Sequence, residues 1–133
     1  MRRHLAVASV LVALVLTSIA LAAPSRIPIT FQSFAASGVS GDGTINSVPS
    51  GDVQLHVSLR GLEANTTYSA LIYTASQSCD EATASQQVVQ FQSNPSGIAT
   101  WNQKVTMDVN TISSVGIRLV SDNSLKACGA VTP

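Results

Sequence analysis

The sequence predicts an all-β fold: a Greek-key β-sandwich or flattened barrel of about seven or eight antiparallel strands with one disulfide. Three observations carry this reading. Beyond residue 22 the apolar residues recur in short alternating runs, the period of a half-buried strand. Clusters of Gly, Asn, Asp, Ser and Pro punctuate those runs, and no stretch keeps helical spacing. Cys79 and Cys128 both lie in this part of the chain, and an even cysteine count in an exported protein reads as a disulfide.

The export expectation rests on residues 1–22. Arg2 and Arg3 open an apolar run over 5–21, and Ala20-Leu21-Ala22 places small residues where a signal peptidase reads them, just before Pro24. The run is short beside the roughly 20 residues of a membrane span. With no cysteine near the junction, a lipid anchor is not expected. Cleavage after Ala22 or Ala23 is preferred to a retained anchor. The organisation is then a signal peptide over 1–22 and a single secreted domain over 23–133, extracellular, periplasmic or on the cell surface, with no membrane span after cleavage.

Within that domain the first predicted strand covers 27–34. A turn-rich segment follows over 36–51, with Ser40-Gly41-Asp42-Gly43 and Val48-Pro49-Ser50-Gly51 as breakers. The clearest strand spans 52–60. Val53, Leu55, Val57 and Leu59 face a core there, while Gln54, His56, Ser58 and Arg60 face water. Residues 67–74 are apolar on both faces, as in a central strand covered on both sides. A long polar loop over 75–87 holds Cys79, and its 81–87 part is a candidate helical turn. Strands over 88–92 and 99–107 flank Ser93-Asn94-Pro95-Ser96-Gly97, a hairpin signal. A last hairpin joins 115–120 to 125–131 across Ser121-Asp122-Asn123-Ser124.

Residues 23–133 keep five basic residues against seven acidic ones, a balance of −2 spread without runs. No basic patch with interleaved aromatics exists, so nucleic acid is not an expected partner. Charged residues make up about a tenth of this part and Ser plus Thr about a quarter, as in an extracellular module with uncharged polar faces.

Two segments resemble the copper/zinc superoxide dismutase-like β-sandwich superfamily. One runs from Gly51-Asp52-Val53 through Gly61-Leu62 into Asn65-Thr66-Thr67-Tyr68-Ser69-Ala70-Leu71-Ile72-Tyr73, and the other is the closing Ala127-Cys128-Gly129. The resemblance implies that Cys79, in the loop, pairs with Cys128, in the closing strand. It also implies copper histidines on the second strand, where the matching positions hold Tyr68, Leu71 and Tyr73. A copper or zinc site needs three or four converging N, S or carboxylate ligands. The expected relative is therefore a metal-free secreted one, similar to the chordin-type repeat, with no cofactor. A rival resemblance is the fibronectin type III domain. Leu62 and Tyr68 look like its tyrosine corner, in which the phenol is tied to nearby backbone. That corner comes late in fibronectin-type domains and early here, which favours the dismutase-like reading.

Candidate chemistry is sparse. His56 is the sole histidine after residue 22, and its neighbours Gln54, Ser58 and Arg60 mark a solvated strand position rather than a base in a triad. No Gly-x-Ser-x-Gly elbow occurs. Asp80-Glu81 offers at most a loose calcium contact. Trp101 alternates in phase with Ala99, Val105 and Met107, which makes it core rather than a stacking platform. Asn65-Thr66-Thr67 is a glycosylation sequon, meaningful in a eukaryotic host, whereas Asn94-Pro95-Ser96 is disqualified by its proline.

The expected function is thus a secreted, non-enzymatic module binding a protein or cell-envelope component through segment 36–51 or loop 75–87, since rigid sandwiches place function on loops. The alternatives are a dismutase-like copper/zinc-binding protein with a lost or rearranged site, and a structural or adhesive surface module.

Overall fold

The computed structural model describes residues 25–75, 77–80 and 86–132; the expected signal peptide lies outside the described residues, as does Glu81. Eight strands follow one another: β1 Arg26–Ser33, β2 Ser40–Ser47, β3 Val53–Arg60, β4 Thr67–Thr74, β5 Gln86–Gln92, β6 Ala99–Val105, β7 Ile112–Leu119 and β8 Leu125–Ala130. A single turn of 3₁₀ helix, Val109–Thr111, precedes β7. All pairings are antiparallel and the sheet order is β5-β4-β7-β8-β1-β2-β3-β6. Both ends of this sheet belong to consecutive strands, so it curls into a nearly closed barrel. Strands β4, β5 and β6 follow one another around the wall and β7 returns beside β4, the Greek-key order.

The barrel has two four-stranded halves joined by a short weld. Strand β1 meets β8 at only three residue pairs, Phe31 with Gly129, Gln32 with Cys128 and Ser33 with Ala127. The weld depends on Gly129, where a Cβ would come within 2.3 Å of Ile29 Cγ2. Between the halves lies one core of Ile29, Phe31, Ile45, Val53, Leu55, Val57, Leu59, Tyr68, Ala70, Ile72, Val115 and Ile117, among others. Each large member contributes roughly 1.5–3 kcal/mol by leaving water.

The alternation in β3 holds as the pattern predicts: Val53, Leu55, Val57 and Leu59 are buried, and His56, Ser58 and Arg60 exposed. Segment 36–51 is a correction. Its middle is strand β2, paired along its length with β1 and β3. Gly41 and Gly43 break no strand; they let neighbouring backbone come close. A Cβ on Gly41 would lie 2.1 Å from the Ser58 carbonyl oxygen, and one on Gly43 2.8 Å from that of His56. Val48-Pro49-Ser50-Gly51 does form a turn, with Gly51 N–H donating to the Val48 carbonyl at 3.0 Å and Gly51 at φ 84°. A second correction concerns Gln86 and Gln87, which open β5 rather than joining a helical turn. Cross-strand pairing to Ile72 and Leu71 outweighs their weak helical preference.

One end of the barrel is locked by the corner before β4. Tyr68 is buried, and its hydroxyl accepts the Glu63 N–H at 2.9 Å. Buried Ser93 accepts the Thr66 N–H at 3.0 Å and donates to the Glu63 carbonyl. The β5–β6 turn docks on the same corner: Leu62 N–H donates to the Gly97 carbonyl, and Asn94 Oδ1 accepts from Ser96 and Ile98 N–H, each at 2.9 Å.

Candidate functional site

Strand β4 is apolar on both faces because both are covered. Tyr68, Ala70 and Ile72 point into the barrel core. Tyr73 and Leu71 point outward, into a second small cluster with Cys79, Leu125 and Cys128. The described part of the loop after β4 lies over this outer face. Gly116 on β7 makes room for it, since a Cβ there would come 2.9 Å from Tyr73 Cε2 and 3.4 Å from Cys79 Cβ.

Three ties pin that loop. Cys79 is bonded to Cys128 on β8, with their Cα atoms 5.7 Å apart. The Ser114 hydroxyl donates to the Gln77 carbonyl at 3.0 Å, and the Ser113 hydroxyl is shared between that carbonyl at 3.0 Å and the Tyr73 carbonyl at 2.9 Å. Arg118 spans the rest: Nε donates to the buried Tyr73 hydroxyl at 3.0 Å, Nη2 to the Cys79 carbonyl at 2.9 Å and Nη1 to the Asn123 carbonyl at 2.7 Å. A guanidinium suits this place because its donors sit in a fixed fork and never deprotonate. It gives the buried Tyr73 phenol a hydrogen-bond donor.

The result is a short polar rim held on a rigid wall, with Ser78 and Asp80 exposed. The Ser78 hydroxyl, which donates to the Asp80 carboxylate, is the main cause holding that carboxyl below its ordinary value; the Arg118 charge adds a smaller push. Beside the loop opens a cleft of about 510 Å³ lined by Thr74, Ala75, Asn110, Thr111, Ile112, Ser113 and Val131. Its described lining offers hydroxyl, amide and apolar groups. Such a surface suits uncharged polar or apolar ligand groups.

The other singled-out residues do not gather here. His56 is exposed on β3, opposite Thr44 and Asn102 on the outer wall of the other half. Tyr68 faces the core while Leu71 and Tyr73 face the stapled loop, so the positions matching copper histidines cannot converge on one point. Leucine has no ligand atom, and both tyrosine hydroxyls are already engaged. These residues do not fit a copper site of the expected kind. Among the described residues no three His, Cys, Asp or Glu side chains come together.

Trp101 is buried and packs against Phe91, which in turn stacks on Tyr68; both centroid separations are 5.9 Å. Asn65 is exposed at φ 52° on the corner loop, so its side chain is accessible. Among the described residues no helix is long and apolar enough to cross a membrane.

Sequence reasoning missed Arg118 and the pair Ser113 and Ser114. A lone cation inside Ile112–Leu119, an otherwise uncharged strand, was the available signal, because such a residue must find acceptors. No family model and no curated protein matches this chain.

Proposed function

We propose that the protein is a secreted, non-enzymatic binding module, a metal-free relative of the superoxide dismutase-like sandwich, that recognises a protein or cell-envelope component through the stapled loop and its cleft. The observation that carries this reading is the triple anchoring of the 77–80 backbone by the Cys79–Cys128 bridge, Arg118 and the two serines. A loop held in one conformation loses little entropy on binding, so contacts made there translate into affinity. Segment 36–51 is the weaker choice, since most of it is committed to backbone pairing in β2.

The disulfide suggests an oxidising environment, in keeping with secretion. The dismutase-like relationship is favoured over the fibronectin type III one by the position of the tyrosine corner. Here it leads into β4 with four strands still to come, whereas in the rival fold it opens a late strand.

The test has two arms on the purified, oxidised protein. Copper and zinc loading, followed by metal analysis and a superoxide assay, should find neither stoichiometric metal nor activity; either one overturns the non-enzymatic reading. Retention on washed envelopes of the producing organism should fall at least about tenfold in affinity when Ser78 and Asp80 are both replaced by alanine. Equal retention by this variant and the parent would remove the loop from the binding surface.

A further inference from the structure

The barrel closes everywhere but at one seam. Strands β5 and β6 are consecutive and linked by a tight turn, yet no hydrogen-bonded ladder joins them, and they are the two ends of the sheet. Phe91 and Trp101 bridge the seam near the turn with rings 5.9 Å apart. Each strand thus keeps an edge of backbone N–H and C=O groups that no described strand pairs. Proteins normally guard such edges with charge, proline or a covering element.

The two edges are guarded differently. Strand β6 carries Lys104, an exposed cation 2.8 Å from Asp52. Strand β5, Gln-Gln-Val-Val-Gln-Phe-Gln, has no charge, no proline and no glycine. Val88, Val89 and Phe91 are half-buried along it, packed against the edge of the core, while Gln86, Gln87, Gln90 and Gln92 are exposed. One bulge, opposite Ala70 and Leu71, is its only irregularity. A short, uncharged, β-prone segment of this kind pairs readily with a copy of itself. Charge decides the partner: an identical strand brings no repulsion, its glutamine amides find one another, and no basic or acidic group on β5 selects a charged peptide instead. The seam also holds an unmet donor, because the buried Trp101 indole N–H has no acceptor among the described residues.

We propose that the free edge of β5 pairs with the same edge of a second copy, giving a two-fold symmetric dimer built on an antiparallel β5–β5 ladder. This association is independent of the loop surface proposed above, which lies over the outer face of β4 and β7.

Sedimentation velocity of the purified, oxidised protein from about 1 to about 200 µM should show a concentration-dependent dimer, accompanied by a shift in emission from Trp101, the sole tryptophan. Gln90→Lys and Gln90→Glu, each placing like charges across the dyad, should each weaken dimerisation by about tenfold or more without changing the circular dichroism spectrum. Mixing the two variants should restore it as a heterodimer. Thr100→Lys, on the outer face of β6, should leave it unchanged. A parent protein that stays monomeric across the range overturns the proposal. So does a dimer indifferent to both Gln90 variants, or one broken by Thr100→Lys instead.

Discussion

Replacing Cys79 and Cys128 together by alanine isolates what the bridge does, because nearly everything else that holds the loop is retained. Arg118 and the two serines bond to the carbonyls of Cys79 and Gln77, which are backbone groups that an alanine variant keeps. The native state should therefore change little, and the effect belongs to the unfolded chain. The bridge joins positions 49 residues apart. On the chain-entropy model, closing a loop of that size removes about 14 cal/mol/K from the unfolded ensemble, or roughly 4 kcal/mol at 25 °C. That is a large share of the 5–15 kcal/mol typical of a whole domain. In urea, read by circular dichroism and Trp101 fluorescence, the midpoint should fall by about 2 M, with a steeper slope because the uncrosslinked chain exposes more surface. A loss below about 1.5 kcal/mol with an unchanged slope would refute the entropic account. It would mean that the bridge acts chiefly by holding the loop in the native state.

Three further outcomes follow from the geometry. Tyr68→Phe removes the acceptor of the Glu63 N–H and should cost about 0.5–1.5 kcal/mol in the same urea assay; no change would show that the corner is held by packing alone. Gly129→Ala forces a methyl toward Ile29 Cγ2 at the three-pair weld and should cost about 1–3 kcal/mol; in the double variant with Ile29→Ala, which removes Cγ2, the total loss should fall short of the sum of the two single losses, and additive losses would exclude this clash as the cause. The Lys104 ammonium first, then the Ser50 hydroxyl, holds the Asp52 carboxyl below its ordinary value of 3.8, and Ser124, whose backbone N–H donates to the Asp122 carboxylate at 2.9 Å, does the same for Asp122. Stabilisation by such carboxylates is fully present above the unfolded value and is lost as pH falls through the lower folded one, so urea midpoints should hold steady near neutrality and drop below 3.8. Asp52→Asn should soften that drop, and an acid response identical to the parent's would remove Asp52 from the account.

The strands that alternate strictly were legible, since period-two patterning in β3 and β6 states which side chains leave water. β2 was not. Its run of Ser, Gly, Asp, Gly, Thr and Asn carries the composition of a turn, and only the backbone of β3 pressing on Gly41 and Gly43 shows why glycine is needed in a strand there. β7 began earlier than expected for a related reason. Ser113 and Ser114 look like a loop in sequence, yet their hydroxyls are spent on the Gln77 and Tyr73 carbonyls.

From its residues alone, the chain determined an all-β class, the inward faces of its regular strands, its near-neutral charge and its lack of a histidine cluster. All of these follow from local spacing and composition. Tertiary structure alone decided what covers the outer face of β4, which acceptors Arg118 meets, and which two strands stay unladdered. Those depend on groups 39 and 45 residues distant in the chain for Arg118, and on how the whole wall curls for the seam. A local pattern says that a side chain wants a partner. Only the closed fold brings one within reach.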